Sequence, residues 1–337
     1  MSITAKELAG KLGLSPAAVS LALNHKKGVS TETTIKVLDA AKKYGYEFKY
    51  DQEHWTDSVF HGTIQFLIYK KSGAIVTDTT FFLELSQSIA QICKEKNLRL
   101  DIHYLYDNDL AEYHEKYADK KCIGILLLGT ELSEEDLKSV TTFDTPVVIL
   151  DTYSDRISAN YIKINNKQGA YLATNYLLER CKGSIGYLKS SYPIHNFSER
   201  SDGFYQALKE HGISRASAIM HELSPSFEGA YADMNLLLQE HEPLARCYFA
   251  DNDLIACGAL KAFKEHGFQI PDDISIIGFD NVSLCNYVDP ALSTVDVDVK
   301  SMGRLAVHRL LDHMKEDPAF SVKLEIATRI VLRHSIK

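Results

Sequence analysis

From residue 62 onward the chain alternates short apolar runs with amphipathic stretches, and this alternation restricts the fold more than any other feature. Thr63 to Tyr69, Leu98 to Leu105, Ile123 to Leu128, Pro146 to Leu150, Ile185 to Leu188, Ile219 to Leu223, Cys247 to Ala250 and Ile274 to Phe279 read as buried strands. Between them, apolar residues at three- and four-residue spacing predict helices over Phe81 to Cys93, Asn166 to Arg180, Phe197 to His211, Phe227 to Glu240 and Asp253 to His266. Strands alternating with helices of this length build parallel sheets covered by helices on both faces. One small sheet cannot hold so many units. Two doubly wound parallel-sheet lobes are expected, with the chain changing lobe near 155–165 and returning near 285–295 and 320. Ligands of such sheets sit at the carboxyl ends of strands, in the crevice between lobes.

Composition removes several other classes. Of 337 residues, 45% are hydrophobic and 24% charged, which fits a soluble globular protein and not a disordered or collagen-like one. No run approaches about 18 uninterrupted apolar residues, so a membrane span is not expected. The start, MSITAKELAG, has no apolar segment after a basic one, so a cytoplasmic protein is expected. Six scattered cysteines with no C-x-x-C pair read as reduced thiols, not as a disulfide framework or a metal site. There is no G-x-G-x-x-G, Walker loop, H-E-x-x-H or G-x-S-x-G, so catalysis and a cofactor are not expected.

Charge divides the chain unevenly. Residues 1–50 hold eight lysines against four acids, a net of +4, inside a chain of net −8, which leaves −12 on the remainder. A basic end on an acidic body suits contact with a polyanion. The same fifty residues read as three short helices. Thr4 and Glu7 make a capping box, and Leu8, Ala9 and Leu12 follow at helical spacing up to Gly13. Ser15-Pro16 opens a second helix with Val19, Ala22 and Leu23 inward. Ser30 or Thr31 caps a third, with Ile35, Leu38, Ala41 and Tyr44 on one face. Two helices joined at a tight glycine turn are a helix-turn-helix unit, whose second helix enters the major groove of duplex DNA. The candidate DNA-contacting residues are Thr4, Ser15, Pro16, Ala17, Ser20, Leu21, Asn24, Ser30 and Thr33.

The pattern T-A-K-E-L-A-x-K-L-G-L-S-x-x-x-V-S-x-A-L-N, then G-V-S-x-x-T, then V-L-x-A-A-K-K-Y-G-Y resembles the DNA-binding head of the LacI/GalR family of transcriptional regulators. The resemblance continues through Gly124 to Thr130, Pro146 to Asp151, Asn196 to Phe204, Ala250 to Asp253 with Ala256 and Gly258, Ile270 to Asn281 and Pro290 to Val295. It implies a helix-turn-helix domain over 1–46, a hinge or linker over 47–60, and a two-lobed sensor over 61–337 like the type I periplasmic binding proteins. Two departures stand out. Ala18 and Leu21 occupy positions where the family has threonine and arginine, and Glu47 to Thr56 lacks the family's leucine-bearing hinge helix. That segment reads either as a plain linker or as a hinge in which Phe48 or Trp55 takes the leucine's place.

The resemblance implies a homodimeric repressor of double-stranded operator DNA, controlled by a small effector that is a sugar or sugar phosphate. It places effector contacts on Asp151, Asn196, Arg200, Asn252 and Asp280, with Phe81, Phe82 and Phe227 as apolar walls. The chemistry suits sugars: Arg donates two bonds, Asp accepts two, Asn does both, and an aromatic ring covers the C–H face. Capping competes for Asn252, a turn for Asp280, a surface ion pair for Arg200 and core packing for one of Phe81 and Phe82. Two other readings stay open: a solute-binding protein without DNA function, and a regulator of the same family whose ligand assists DNA binding.

Overall fold

A computed structural model of the chain describes residues 3–23, 29–44, 62–73, 75–76, 80–106, 110, 112, 122–314 and 320–337. Asn24 and the expected hinge over 47–60 lie outside the described residues. The chain divides into two compact units, Met1–Phe60 and His61–Lys337.

In the first unit, helices α1 (Ala5–Leu12), α2 (Pro16–Leu23) and α3 (Thr31–Lys43) enclose a small core. Thr4 caps α1, and the reciprocal box closes because the Glu7 carboxylate accepts the Thr4 N–H at 2.8 Å. Gly13 ends α1 at φ +64°, a left-handed conformation that glycine adopts at least cost. Ser15 caps α2, with its Oγ 3.1 Å from the Ala18 N–H, and Ser30 caps α3. Leu8, Ala9, Val19, Ala22, Leu23, Val37, Ala40 and Ala41 are buried together. Tyr44, expected on the inward face of the third helix, is instead 40% exposed. Its ring carries Lys11 Nζ 4.7 Å from its centroid, and an amphipathic phenol is better placed at such a rim than in a core of alanines.

The second unit holds two six-stranded sheets among the described residues. The first runs β2 (Arg99–Tyr106), β1 (Thr63–Lys70), β3 (Cys122–Leu128), β4 (Val147–Leu150), β5 (Asn160–Ile164) and β11 (Lys323–Ile326). The second runs β7 (Ile219–Leu223), β6 (Ile185–Ser190), β8 (Cys247–Ala250), β9 (Ser275–Asp280), β10 (Ser293–Val297) and β12 (Thr328–Val331). All pairings are parallel except β10 with β12. Parallel neighbours need crossover helices. These are α4 (Thr80–Glu95), α5 (Glu134–Val140), α6 (Asn166–Arg180), α7 (His195–Glu210), α8 (Phe227–Gln239), α9 (Asp253–Glu265) and α10 (Val299–His313). The chain passes between the sheets three times, after β5, after β10 and between β11 and β12. This is the periplasmic-binding-protein-like architecture of two doubly wound lobes. No described helix is long and apolar enough to cross a membrane.

Six elements of this unit were not read from apolar runs: β5, β10, β11, β12, α5 and α10. Strand β5 is buried throughout, yet it contains Asn160 and Lys163. Both are satisfied: Asn160 Oδ1 accepts from Arg309 Nε at 2.8 Å, and Lys163 pairs with Glu199 and Glu325. Helix α10 carries charges along its length but buries Met302, Ala306, Val307 and Leu310 against the first lobe. Close helix approach is set by glycine in both lobes. A Cβ on Gly258 of α9 would stand 2.5 Å from the Phe227 carbonyl oxygen and 2.8 Å from the Tyr231 nitrogen. We expect Gly258→Ala to lower the unfolding free energy by about 1–3 kcal/mol through overpacking. Alanine's helical advantage of about 1 kcal/mol works against that loss. A denaturant midpoint unchanged or raised by the substitution would contradict this packing.

Candidate functional site

The carboxyl ends of β3, β4, β5, β8 and β9 converge between the lobes on a cavity. Thr130, Asp151, Asn196, Phe197, Arg200, Asn252, Asp253 and Asp280 line it, and Ile75, Phe81 and Phe82 form an apolar side. About 50 Å³ is free in this closed arrangement. That holds a few waters at about 10–15 Å³ each, so a larger ligand needs the lobes or their side chains to part.

Arg200 is the cation of this site and is itself buried. It projects from α7, whose Gly203 lets the helix lie against α6: a Cβ there would stand 2.2 Å from the Lys167 carbonyl. Its Nη2 donates to Asp280 Oδ1 at 3.0 Å, its Nε to Asn166 Oδ1 at 2.9 Å, and its Nη1 to the Asp251 carbonyl oxygen. The guanidinium also stacks 3.7 Å from the Phe279 ring centroid. Asp280 sits at φ +104° and Asp151 at φ +60°. Strained backbone at strand ends is stored where a side chain must be aimed.

Asp151 accepts the Thr130 hydroxyl at 2.6 Å and the Asn196 Nδ2 at 3.0 Å, and the second bond crosses from one lobe to the other. Two further contacts cross beside it. Lys163 pairs with Glu199, and the His195 and Tyr153 rings meet edge to face at 4.6 Å. Asn196 Nδ2 also reaches the Asp151 carbonyl oxygen at 3.1 Å, so its orientation is fixed. Its Oδ1 is buried with no partner. A buried acceptor without a donor is costly, and a ligand hydroxyl or N–H is what it wants.

Burial, joined by repulsion from Asp280, pushes the Asp253 carboxyl up to about 7. Burial likewise raises Asp151 and Asp251 to about 6 and raises Asp280 against the pull of Arg200. Burial raises all four acids, and the Arg200 guanidinium works against that rise at Asp151, Asp251 and Asp280.

Seven of the eight expected effector residues line the cavity: Phe81, Phe82, Asp151, Asn196, Arg200, Asn252 and Asp280. Phe227 does not. Ser226 caps α8, and the first residue of that helix turns inward onto the second lobe's core, with Lys261 Nζ 5.9 Å from its ring centroid. Pro225 takes its place in the lining. Asn252 lines the cavity and also caps α9, its Oδ1 accepting the Ile255 N–H at 2.8 Å, which leaves its amide nitrogen for a ligand. Thr130, Phe197 and Asp253 went unread as site residues. The first and last end quoted family runs, and Phe197 adjoins Asn196, so proximity to a strand end was the usable signal.

In the first unit, Ser15, Pro16, Ala17 and Ser20 form an exposed face of α2, and Leu21 is half-buried. The hydroxyls of Thr4, Ser15 and Ser30 serve as helix caps, and Thr33 lies within 2.8 Å of the Ser30 hydroxyl. Lys6, Lys11, Lys36 and Lys43 are exposed on the same unit and give it positive charge.

Residues 174–336 match a periplasmic binding protein-like domain. The chain is 30% identical over 340 residues to an HTH-type transcriptional repressor PurR of Mannheimia succiniciproducens, covering 99% of this chain and 98% of that protein. Among solved structures it is similar to a transcriptional regulator CelR–cellobiose complex (TM-score 0.70, 20% identity, 99% of each chain). It is also similar to a lac repressor dimer bound to operator and the anti-inducer ONPF (TM-score 0.71, 19% identity, 99% of each chain). A third is a regulator from Enterococcus faecium with bound ribose (TM-score 0.69, 24% identity, 81% of this chain and 98% of that one).

The raised acids carry a pH signature. A carboxyl whose pKa is raised by folding, from about 3.9 in the unfolded chain, stabilises the fold below that value. The contribution is lost as pH rises through the folded value. The window here runs from about pH 4 to above pH 7, set by Asp151, Asp251 and Asp253. Asp253→Asn keeps the acceptor for the Val282 N–H and removes the ionisation. Thermal melts should show the variant losing less stability than the native chain between pH 5.5 and pH 8. Parallel pH profiles for the two chains would refute the assignment.

Proposed function

Because the chain belongs to the LacI/GalR family of DNA-binding transcriptional regulators, we propose that it is a repressor whose homodimer reads a two-fold operator through α2. Thr4, Ser15, Pro16, Ala17, Ser20, Leu21, Asn24, Ser30 and Thr33 make the contacts. The interlobe cavity takes a polyhydroxy effector, a carbohydrate, on Asp151, Asn196, Arg200, Asn252, Asp253 and Asp280, with Phe81 and Phe82 against its apolar face.

The observation that carries the effector reading is the orphaned Oδ1 of Asn196 among carboxylates. The lining offers many acceptors and few donors, and a ring bearing several hydroxyls is the complementary partner. The names of its relatives add support: one solved neighbour holds cellobiose and another ribose. The DNA reading is supported by a closed capping box, a left-handed glycine turn and an exposed small-residue face among lysines. One such head reads only a few base pairs, so two heads on a two-fold axis supply specificity. The site binds and releases its ligand without chemistry on it, in the cytoplasm, where operator DNA is.

Coupling follows from the cavity's position. A ligand shifts DNA affinity only if it prefers one lobe arrangement, and lobe movement reaches the heads through residues 47–60. Couplings of this kind are about 1–3 kcal/mol, or roughly 5- to 150-fold in affinity.

Two measurements test the proposal. Duplexes selected from a random library by the full chain should bind with an affinity falling steeply with salt, by about 0.9 in log K per log salt for each phosphate contact. A chain beginning at residue 62 should show no such binding, and equal binding by that chain would end the DNA reading. In a thermal-shift screen of sugars, the active compound should raise the melting temperature of the native chain by mass action. Arg200→Ala and Asp280→Ala should each remove that rise and its effect on DNA. A rise kept by both variants would place the effector elsewhere.

A further inference from the structure

Glu131 follows Thr130 directly after β3 and is 5% exposed, yet it takes no part in the cavity's lining. Its carboxylate is filled instead by the loop after β1. Oε2 accepts the backbone N–H of Lys71 and Ser72 at 2.8 Å each and of Gly73 at 3.3 Å, with the Ser72 hydroxyl at 3.5 Å. Oε1 accepts the N–H of Ile75 and Val76 at 3.0 Å each. Five amides of one loop thus converge on a single buried anion. Concave arrays of backbone N–H groups are anion sites in general, and phosphate is a frequent guest. Here the guest is the chain's own side chain. Burial pushes the Glu131 carboxyl up, but the amides of Val76, Ser72, Ile75 and Lys71 outweigh it and hold it below the usual range.

The loop so held serves the cavity. It contributes Ile75 to the lining, and it precedes α4, whose first turn carries Phe81 and Phe82. The cavity's charged residues are Asp151, Asp253 and Asp280 against Arg200, whose guanidinium is already committed to Asp280, Asn166 and Asp251. An anionic ligand in the cavity would therefore meet a cation that is engaged and three acids, while the nearby amide nest is already filled by Glu131.

Resting on the cavity being the effector site, we infer that Glu131 is a built-in anion that fixes the loop lining the cavity, and that the cavity, its cation engaged and three acids facing in, excludes phosphorylated and carboxylated ligands. The effector is a compound without an acidic group. Of the sugars and sugar phosphates that the family resemblance implies, the structure selects the unphosphorylated class. Glu131 is a positioning residue, acting through the loop that it holds.

The test uses the full chain. Hydrogen exchange on the native protein should show the amides of residues 71–73, 75 and 76 protected although Lys71 and Ser72 lie at the surface. Glu131→Gln should speed that exchange at the same amides. Glu131→Ala should melt at lower temperature, and acetate, which replaces the missing carboxylate and methylene, should restore part of the loss saturably. Chloride at equal ionic strength should not, and the native chain should ignore both. Exchange in the native chain as fast as in an open loop would overturn the role of Glu131 even if the alanine variant fails to fold. So would an alanine variant that folds and is indifferent to acetate. For the ligand class the probes are glucose and ribose against glucose 6-phosphate, ribose 5-phosphate and inorganic phosphate. No phosphorylated probe should shift the native melting temperature. A saturable rise with any of them, lost in Arg200→Ala, would overturn the selectivity while leaving the cavity as the effector site. A rise with any probe that persists in both Arg200→Ala and Asp280→Ala would overturn the cavity reading itself.

Discussion

The Arg200 guanidinium is the interaction on which the sensor unit depends. It bonds Asp280 at the end of β9, the Asp251 carbonyl at the end of β8 and Asn166 at the crossing from the first lobe. One side chain thereby ties two strand ends of one lobe to the segment that joins it to the other. A buried charge without partners costs several kcal/mol, so its hydrogen bonds and the Phe279 ring beneath it are what make its burial tolerable. The acids around it gain from the same charge: Arg200 pulls against the burial that raises Asp151, Asp251 and Asp280.

Helix α7 distributes these contacts by its own periodicity. Residues four apart share a face. Asn196 and Arg200 project into the cavity, while His195 and Glu199 meet Tyr153 and Lys163 of the first lobe. Gly203, one turn further on, lets the helix seat against α6. A single helix thus lines the site, latches the lobes and packs the core. A ligand that displaces Asn196 from Asp151 therefore acts on the same element that holds the lobes together, which is the differential contact that allostery requires.

The alternation of strands and helices was readable because most strands here are buried on both faces and so appear as unbroken apolar runs. Helix α6 and strands β7 and β8 fall where periodicity puts them. Strand β5 did not, because Asn160 and Lys163 interrupt its apolar run and only distant partners make their burial possible. The site was legible where a polar residue closes a strand, as at Asp151 and Asp280. Phe227 misled because residue type says nothing about side-chain direction, which the Ser226 cap decides. Glu131 had no local signature at all. Its meaning lies in amides of a loop some 55 to 60 residues earlier in the chain, a relation that only folding creates.

The two ends of the chain solve opposite electrostatic problems. The head turns lysines outward, where phosphates release counterions and water screens the excess charge. The sensor turns carboxylates inward, where screening is weak and each acid must be neutralised by a proton, a hydroxyl, an amide or Arg200. On the proposed reading, a guest of these inward acids brings donors and no further negative charge. Outward lysines favour any duplex, so sequence choice must come from the small residues of α2 between them. On the proposed reading, selectivity at each end rests on side chains that carry no charge: Asn196 in the cavity, and Ser15, Ala17 and Ser20 on the helix.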